Sequence, residues 1–187
     1  MPSINLHHFE SASRVNGPGL RAVVWVQGCS IRCPGCFNPG THDETSGTLV
    51  SVDELSEMVL SQAEIEGVTI SGGEPFEQIP SVSEFLKIIK TKSTLTVLVF
   101  SGLTFEMLQK MPGAEKIIAY TDVLISGPYL ASQRLAAGMR GSSNKTIHLL
   151  TSRYSLSDIE NVPQTEIIIS PSGDVIFSGI SPVSWES

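Results

Sequence analysis

The three cysteines of the chain, Cys29, Cys33 and Cys36, all fall within Gly28-Cys29-Ser30-Ile31-Arg32-Cys33-Pro34-Gly35-Cys36. Three soft thiolates on so short a segment can converge on one centre. They make a poor disulfide framework, because such frameworks spread an even number of cysteines to close long loops. The spacing therefore points to metal binding inside the cell. Structural zinc takes four protein ligands, and His42, shortly after Cys36, is the candidate fourth. A cube-type iron–sulfur cluster held by three cysteines leaves one iron open for another ligand, and three cysteines without a fourth favour it.

A second group of residues suits a bound ligand. In Ser71-Gly72-Gly73-Glu74-Pro75 the two glycines lack Cβ, so the backbone can turn sharply and come close to a ligand, with Ser71 and Glu74 as polar groups beside it. Ser101-Gly102 ends the next expected strand, where open α/β sheets place ligand-contacting loops. Arg140-Gly141-Ser142-Ser143-Asn144 offers a guanidinium fork and several hydrogen-bonding groups on a loop. Phe37 follows the third cysteine and is expected to pack over the cysteine loop as a lid. Trp25 is expected in the core, and His7, His8 and His148 at the surface or bonded locally.

These residues need elements to position them. Arg21 to Val26 is continuously apolar after its arginine, which predicts a strand buried on both faces that feeds directly into the cysteines. Asn16-Gly17-Pro18-Gly19 before it is a turn, so residues 5–15 pack against that strand or reach it through a hairpin. Ser51-Val52-Asp53-Glu54 and Ser81-Val82-Ser83-Glu84 read as capping boxes opening two helices. Strands at 67–71, 95–100 and 123–125, with a further helix after Thr104, complete an α/β alternation of about four parallel strands. That is too few for a closed eight-unit barrel of about 250 residues, so an open, partial (β/α) barrel is expected. Thr165 to Ser170 and Asp174 to Phe177, around Pro171-Ser172-Gly173, predict a C-terminal β-hairpin.

Composition bounds the rest. At 187 residues, 41% hydrophobic and 17% charged, the chain has ample apolar content for one core, and disorder is excluded. One domain is expected over 1–187, with a core of about 1–150 and an extension of about 151–187. A net charge of −7 leaves no positive field for a nucleic-acid backbone. No apolar run approaches the roughly 20 residues of a membrane helix and no basic-then-apolar leader opens the chain, so a cytoplasmic protein is expected.

The Cys-x3-Cys-x2-Cys spacing after a buried strand, followed by Ser71-Gly72-Gly73-Glu74-Pro75 after the next, resembles the radical S-adenosylmethionine (SAM) enzymes. Within them the chain is most similar to the glycyl-radical-enzyme activases that serve anaerobic (class III) ribonucleoside-triphosphate reductases. Val15-Asn16-Gly17-Pro18-Gly19, Gly28-Cys29, Asp122-Val123-Leu124-Ile125 and Arg140 to Asn144, in one order along the chain, carry that resemblance. It implies a [4Fe-4S] cluster on Cys29, Cys33 and Cys36, with SAM on the open iron. Ser71, Gly72, Gly73, Glu74 and Ser101 would contact SAM, and Arg140 its carboxylate or the partner's surface. It also implies a low-potential electron donor of flavodoxin or ferredoxin type and a partner reductase that receives a backbone glycyl radical. Many radical SAM enzymes place an aromatic residue before the third cysteine, against adenine; here that position is Gly35, as in the reductase activases, and Phe37 is the candidate instead. The resemblance fades near Asn144. Two other functions compete: a short radical SAM enzyme acting on a small molecule or peptide, with the C-terminal extension building its pocket, and a non-catalytic iron–sulfur or zinc module.

Overall fold

In the computed structural model, which describes residues 2–169, 173 and 175–180, the expected buried strand forms and lies inside a larger sheet. The strands are β1 (Ser3–Ser13), β2 (Arg21–Val26), β3 (Thr48–Ser51), β4 (Gly67–Gly72), β5 (Thr96–Phe100), β6 (Val123–Ser126), β7 (Arg134–Ala137), β8 (Arg140–Ser142), β9 (Thr146–Leu149), β10 (Thr165–Ile169) and β11 (Val175–Gly179). The helices are α1 (Val52–Leu60), α2 (Ile79–Lys92), α3 (Phe105–Lys110), α4 (Ala114–Ile118) and α5 (Leu156–Glu160). Seven strands form one mixed sheet in the order β3-β1-β2-β4-β5-β6-β9. The pairs β2–β4, β4–β5 and β5–β6 are parallel, as the alternation predicts. β1 returns antiparallel on β2, and β3 and β9 add antiparallel edges. Those two edges have little apolar pattern of their own; the backbone ladder of the neighbouring strand recruits them.

Local signals set most helix starts. The Ser51 hydroxyl accepts from Glu54 N at 3.2 Å and opens α1, and Thr104 caps α3 in the same way. α2 starts earlier than the expected capping box. It begins at Ile79, so Ser81 lies inside the helix. The turn Pro75–Gln78 runs straight into it, and Pro80 supplies a φ already suited to a first helical turn. Its buried face, Val82, Phe85, Leu86 and Ile89, is as expected. Among the described residues no helix is long and apolar enough to cross a membrane.

Strand alternation sends successive side chains to opposite faces and so divides the sheet's work. Ala22, Val24, Val26, Val68, Ile70, Val97, Val99 and Leu124 join α1, α2 and α4 in the main core. On the other face Leu98, Val123 and Ile125 pack with Met139, Ile159 and Val162 in a smaller cluster. Asp122, in the 122–125 motif, braces this layer. Burial alone would raise its pKa, but Lys90 at 2.9 Å, Val97 N at 2.7 Å and Thr151 at 2.9 Å hold it below the usual carboxylate value.

The N-terminal half of this second face is filled by Arg21, which is fully buried. Its guanidinium donates to Thr69 Oγ1, Thr96 Oγ1, the Val68 and Thr96 carbonyls and the Tyr154 hydroxyl, all at 2.9–3.2 Å. Burial works against its charge, with Tyr154, Asp122 and Glu66 offsetting part of that cost. Arg21→Ala leaves a void and several buried acceptors without a donor, so a loss of roughly 3–5 kcal/mol is expected. Urea unfolding midpoints check it, and a change below about 1 kcal/mol would show that this network contributes little.

β10 and β11 form the expected C-terminal hairpin, with Ile167 opposite Phe177 and Ile169 opposite Val175. Of the residues assigned to its strands and turn, Ser170, Pro171, Ser172 and Asp174 lie outside the described residues.

Candidate functional site

At the C-terminal ends of the parallel strands the second face opens into a cavity of about 240 Å³. In-register neighbours Trp25 and Ser71, with Phe100 on β5, line its floor. Trp25 is therefore a wall residue rather than core: strand alternation turns it away from the helices, and its ring lies 5.4 Å from that of His8. Cys29, Cys33 and Cys36 all line the same cavity, as free, half-buried thiols.

The loop that carries them is tied down on both sides. Gly28 N donates to Thr41 O at 2.8 Å and Cys29 N to His42 O at 3.3 Å. The backbone N–H and hydroxyl of Ser30 both donate to Glu77 Oε1, at 2.9 and 2.6 Å. Arg32 adopts a left-handed φ of 48°, a conformation that persists only where the surroundings hold it. Burial raises the Cys29 thiol pKa against the N–H groups of Arg32 and Ile31, which favour its thiolate. Asn38 N lies 3.4 Å from Cys36 Sγ. Three soft donors on one cavity wall with backbone N–H groups aimed at sulfur suit an iron–sulfur cluster. Among the described residues no group of three His, Cys, Asp or Glu side chains is drawn together around a single ion. His42 meets the cysteine loop through its carbonyl, not its ring.

The Gly72–Gly73 turn also meets a need that lies within the fold. Its close approach is to the protein's own backbone. A Cβ on Gly73 would overlap the Gly28 carbonyl oxygen and lie 2.7 Å from its carbon, and Gly72, at φ 101°, abuts Val26. Gly73 N donates to Val26 O at 2.7 Å and Glu74 N to Gly28 O at 2.8 Å. The turn thus clamps the residue that leads into Cys29, while both glycines still line the cavity.

Glu74 is buried and accepts from Phe76 N at 3.1 Å, the Ser101 hydroxyl at 3.0 Å and Gly102 N at 2.7 Å. The expected ligand contacts Glu74 and Ser101 are therefore bonded to each other, a brace between the ends of β4 and β5. Burial pushes the Glu74 carboxyl up to about 7, although the three donors oppose this. A folded-state pKa above the ordinary 4.5 means that the native state holds the proton longer. The contribution of Glu74 to stability is therefore full below about pH 4.5 and declines as pH rises to about 7, by on the order of 3 kcal/mol. Glu74→Gln should lack this slope, which unfolding midpoints of the cluster-free proteins at pH 5 and pH 8 will show; parallel profiles would contradict the raised pKa.

Phe37 is 48% exposed and forms the cavity rim. Its ring lies 4.6 Å from that of Tyr129, with the Arg134 guanidinium 5.2 Å over its face. Tyr129, a wall residue, carries no motif of its own in the sequence. Arg140 is not among the cavity's lining residues: its guanidinium lies 3.9 Å from Glu160. The segment it opens instead braces the 127–134 loop, with Asn144 donating to Pro128 O at 2.8 Å and Ser143 N to Gln133 O at 2.8 Å. It delivers Lys145 to the wall in place of Arg140. Lys145 donates to Gly127 O; burial lowers its pKa, and the nearby Cys33, Glu74 and Cys36 act the other way. Sequence reasoning stopped one residue short of it. Away from the cavity the histidines have local partners: His7 with Gln27 at 2.7 Å, and His148 with Ser126 at 2.9 Å.

Comparison with known proteins adds a family pattern. The family described as "4Fe-4S single cluster domain" matches residues 15–148. The anaerobic ribonucleoside-triphosphate reductase-activating protein of Enterobacteria phage T4 is 30% identical over 138 residues, covering 71% of this chain and 86% of that protein. The protein of the same name from Vibrio cholerae is 28% identical over 157 residues, 79% of this chain and 99% of its own length. The pyruvate formate-lyase-activating enzyme of Streptococcus mutans is 34% identical over 157 residues, 80% of this chain and 59% of the relative.

Proposed function

Because the chain belongs to the 4Fe-4S single cluster domain family, a family of radical SAM enzymes, we propose that it is an activase that generates a glycyl radical on an anaerobic ribonucleoside-triphosphate reductase. The observation that carries this reading is the cavity, which gathers the three thiols, the 71–74 turn and Lys145 at one end of the parallel sheet. The choice of partner rests on coverage: relatives named for reductase activation are matched over 86% and 99% of their length, against 59% for the pyruvate formate-lyase activase.

Cys29, Cys33 and Cys36 would hold the cluster. When bound, the cluster and SAM supply a low-potential electron and a 5′-deoxyadenosyl radical that abstracts hydrogen. The chain's own residues orient and shield. Ser71 and the backbone at Gly72 and Gly73 would meet the amino-acid end of SAM, with Glu74 and Ser101 holding that backbone in place. Lys145 would offer its ammonium to the carboxylate, the role expected of Arg140. Phe37 and Tyr129 supply an aromatic wall for adenine. On this reading the sheet is an open partial barrel, 1–187 is one domain with a core of about 1–150, and a flavodoxin- or ferredoxin-like protein provides the electron.

The test is anaerobic reconstitution, a count of iron and sulfide, then dithionite with SAM and a class III reductase. About four irons per chain, 5′-deoxyadenosine and a glycyl-radical doublet in the electron paramagnetic resonance spectrum are the expected results. Deoxyadenosine without a reductase radical would redirect the chemistry to another acceptor, and a single bound zinc would overturn the reading.

A further inference from the structure

Cys29 is gripped from both sides by one short segment. Gly28, before it, accepts from Glu74 N at 2.8 Å. Ser30, after it, donates through both its N–H and its hydroxyl to Glu77 Oε1, at 2.9 and 2.6 Å. These are the lengths of charge-assisted bonds, the shorter one characteristic of a hydroxyl on a carboxylate. Glu77 lies in the Pro75–Gln78 turn ahead of α2, directly after the Glu74 brace. It is exposed and is not among the residues lining the cavity, so it neither builds the core nor meets a ligand there.

Its effect is on the direction of the loop's N–H groups. Three of them follow Cys29 in succession. That of Ser30 goes to Glu77, whereas those of Arg32 and Ile31 favour the Cys29 thiolate, against burial of the sulfur. Peptide planes are rigid, so fixing the Ser30 N–H on Glu77 restricts the orientation of the two that come next. Arg32, at φ 48°, holds a backbone conformation that needs such outside support. The charge of Glu77 does not serve the sulfur, because a second negative group acts against the thiolate. What Glu77 supplies is its acceptor oxygen.

We propose that Glu77 is a positioning residue for the iron–sulfur cluster: as a hydrogen-bond acceptor it latches Ser30, holds the Ile31 and Arg32 amides toward Cys29 and so keeps the first ligand in place. This rests on the reading of Cys29, Cys33 and Cys36 as cluster ligands given above. Because Glu74 and Glu77 belong to one segment, the latch also ties the first thiol to the turn that would meet SAM.

The experiment compares wild type, Glu77→Gln and Glu77→Ala, each reconstituted anaerobically, by iron content and by the rate at which excess EDTA removes the iron. Glutamine keeps an acceptor oxygen without the charge, and alanine keeps neither. Groups that orient a metal ligand are worth about 10–100-fold in metal affinity, so Glu77→Ala should lose iron at least tenfold faster, with Glu77→Gln within about twofold of wild type. Melting temperatures of the three cluster-free proteins should agree within about 2 °C, since water can replace the bonds of an exposed carboxylate. Iron loss from Glu77→Ala at the wild-type rate overturns the latch and leaves the cluster reading standing. Equal acceleration in both variants overturns it in favour of a charge effect, and a cluster-free Glu77→Ala protein that melts well below wild type overturns it in favour of a general loss of stability. If wild type takes up no cluster iron, the cluster reading itself fails, and this proposal with it.

Discussion

Cys33→Ser protein, reconstituted anaerobically, should bind far less iron and form 5′-deoxyadenosine more than 100-fold more slowly than wild type. A serine hydroxyl is a hard, weakly acidic ligand, and no other cysteine exists in the chain to replace the thiolate. Groups that merely support a metal ligand cost about 10–100-fold when removed, so loss of a ligand itself should exceed that range. The contrast is His42→Ala, which should keep its iron, because His42 contacts the loop by its carbonyl. Iron analysis and the cluster's visible absorption check both variants. A Cys33→Ser protein with full iron and wild-type turnover would remove Cys33 from the cluster, and iron loss in His42→Ala would revive the four-ligand alternative.

Gly73→Ala should be nearly as damaging without touching a ligand. The added methyl meets the backbone of Gly28, which cannot move aside as a flexible side chain would. Separating the two would stretch the bonds from Gly73 N to Val26 O and from Glu74 N to Gly28 O. Since Gly28 precedes Cys29, displacement there carries the first thiol with it. Overpacking of this type costs about 1–3 kcal/mol. For a chain of this size the upper value corresponds to a fall in Tm of roughly 6–12 °C. Reduced cluster occupancy should accompany it. Ser71→Ala, two residues away and half-buried, should leave Tm within about 2 °C, so thermal unfolding together with iron content separates a steric effect from a general sensitivity of the turn. An unperturbed Gly73→Ala protein would mean that the clamp is looser than this geometry requires.

The difference between those two experiments shows what could be read without a fold. Cys29, Cys33 and Cys36 declare their chemistry through residue type and spacing, because thiolates at most seven residues apart need only a local turn to converge on one centre. The four parallel strands and the buried faces of α1 and α2 are equally legible, since apolar periodicity is a local property. Gly72 and Gly73 were recognisable as a place of close approach, but not what they approach. That is a long-range fact: Val26 and Gly28 arrive from another strand. The start of α2 also escaped local reading, because a serine-glutamate pair lost to an upstream turn and Pro80.

The same division runs through the site. Residue types alone marked Glu74 and Ser101 as polar groups near a ligand. Only packing shows that they bond to each other, and only burial pushes Glu74 up to about 7. Arg140 looked the better cation by chemistry, but β8 directs it toward Glu160 and the chain then turns Lys145 onto the cavity wall. Trp25 and Tyr129 become wall residues through strand alternation and loop packing. The sequence by itself determined the thiolate chemistry, the α/β class and the family, because spacing and periodicity are encoded in near neighbours. Tertiary structure decided which groups face the cavity, which brace it and which titrate abnormally, because contact, exclusion of water and electric field depend on residues far apart in the chain.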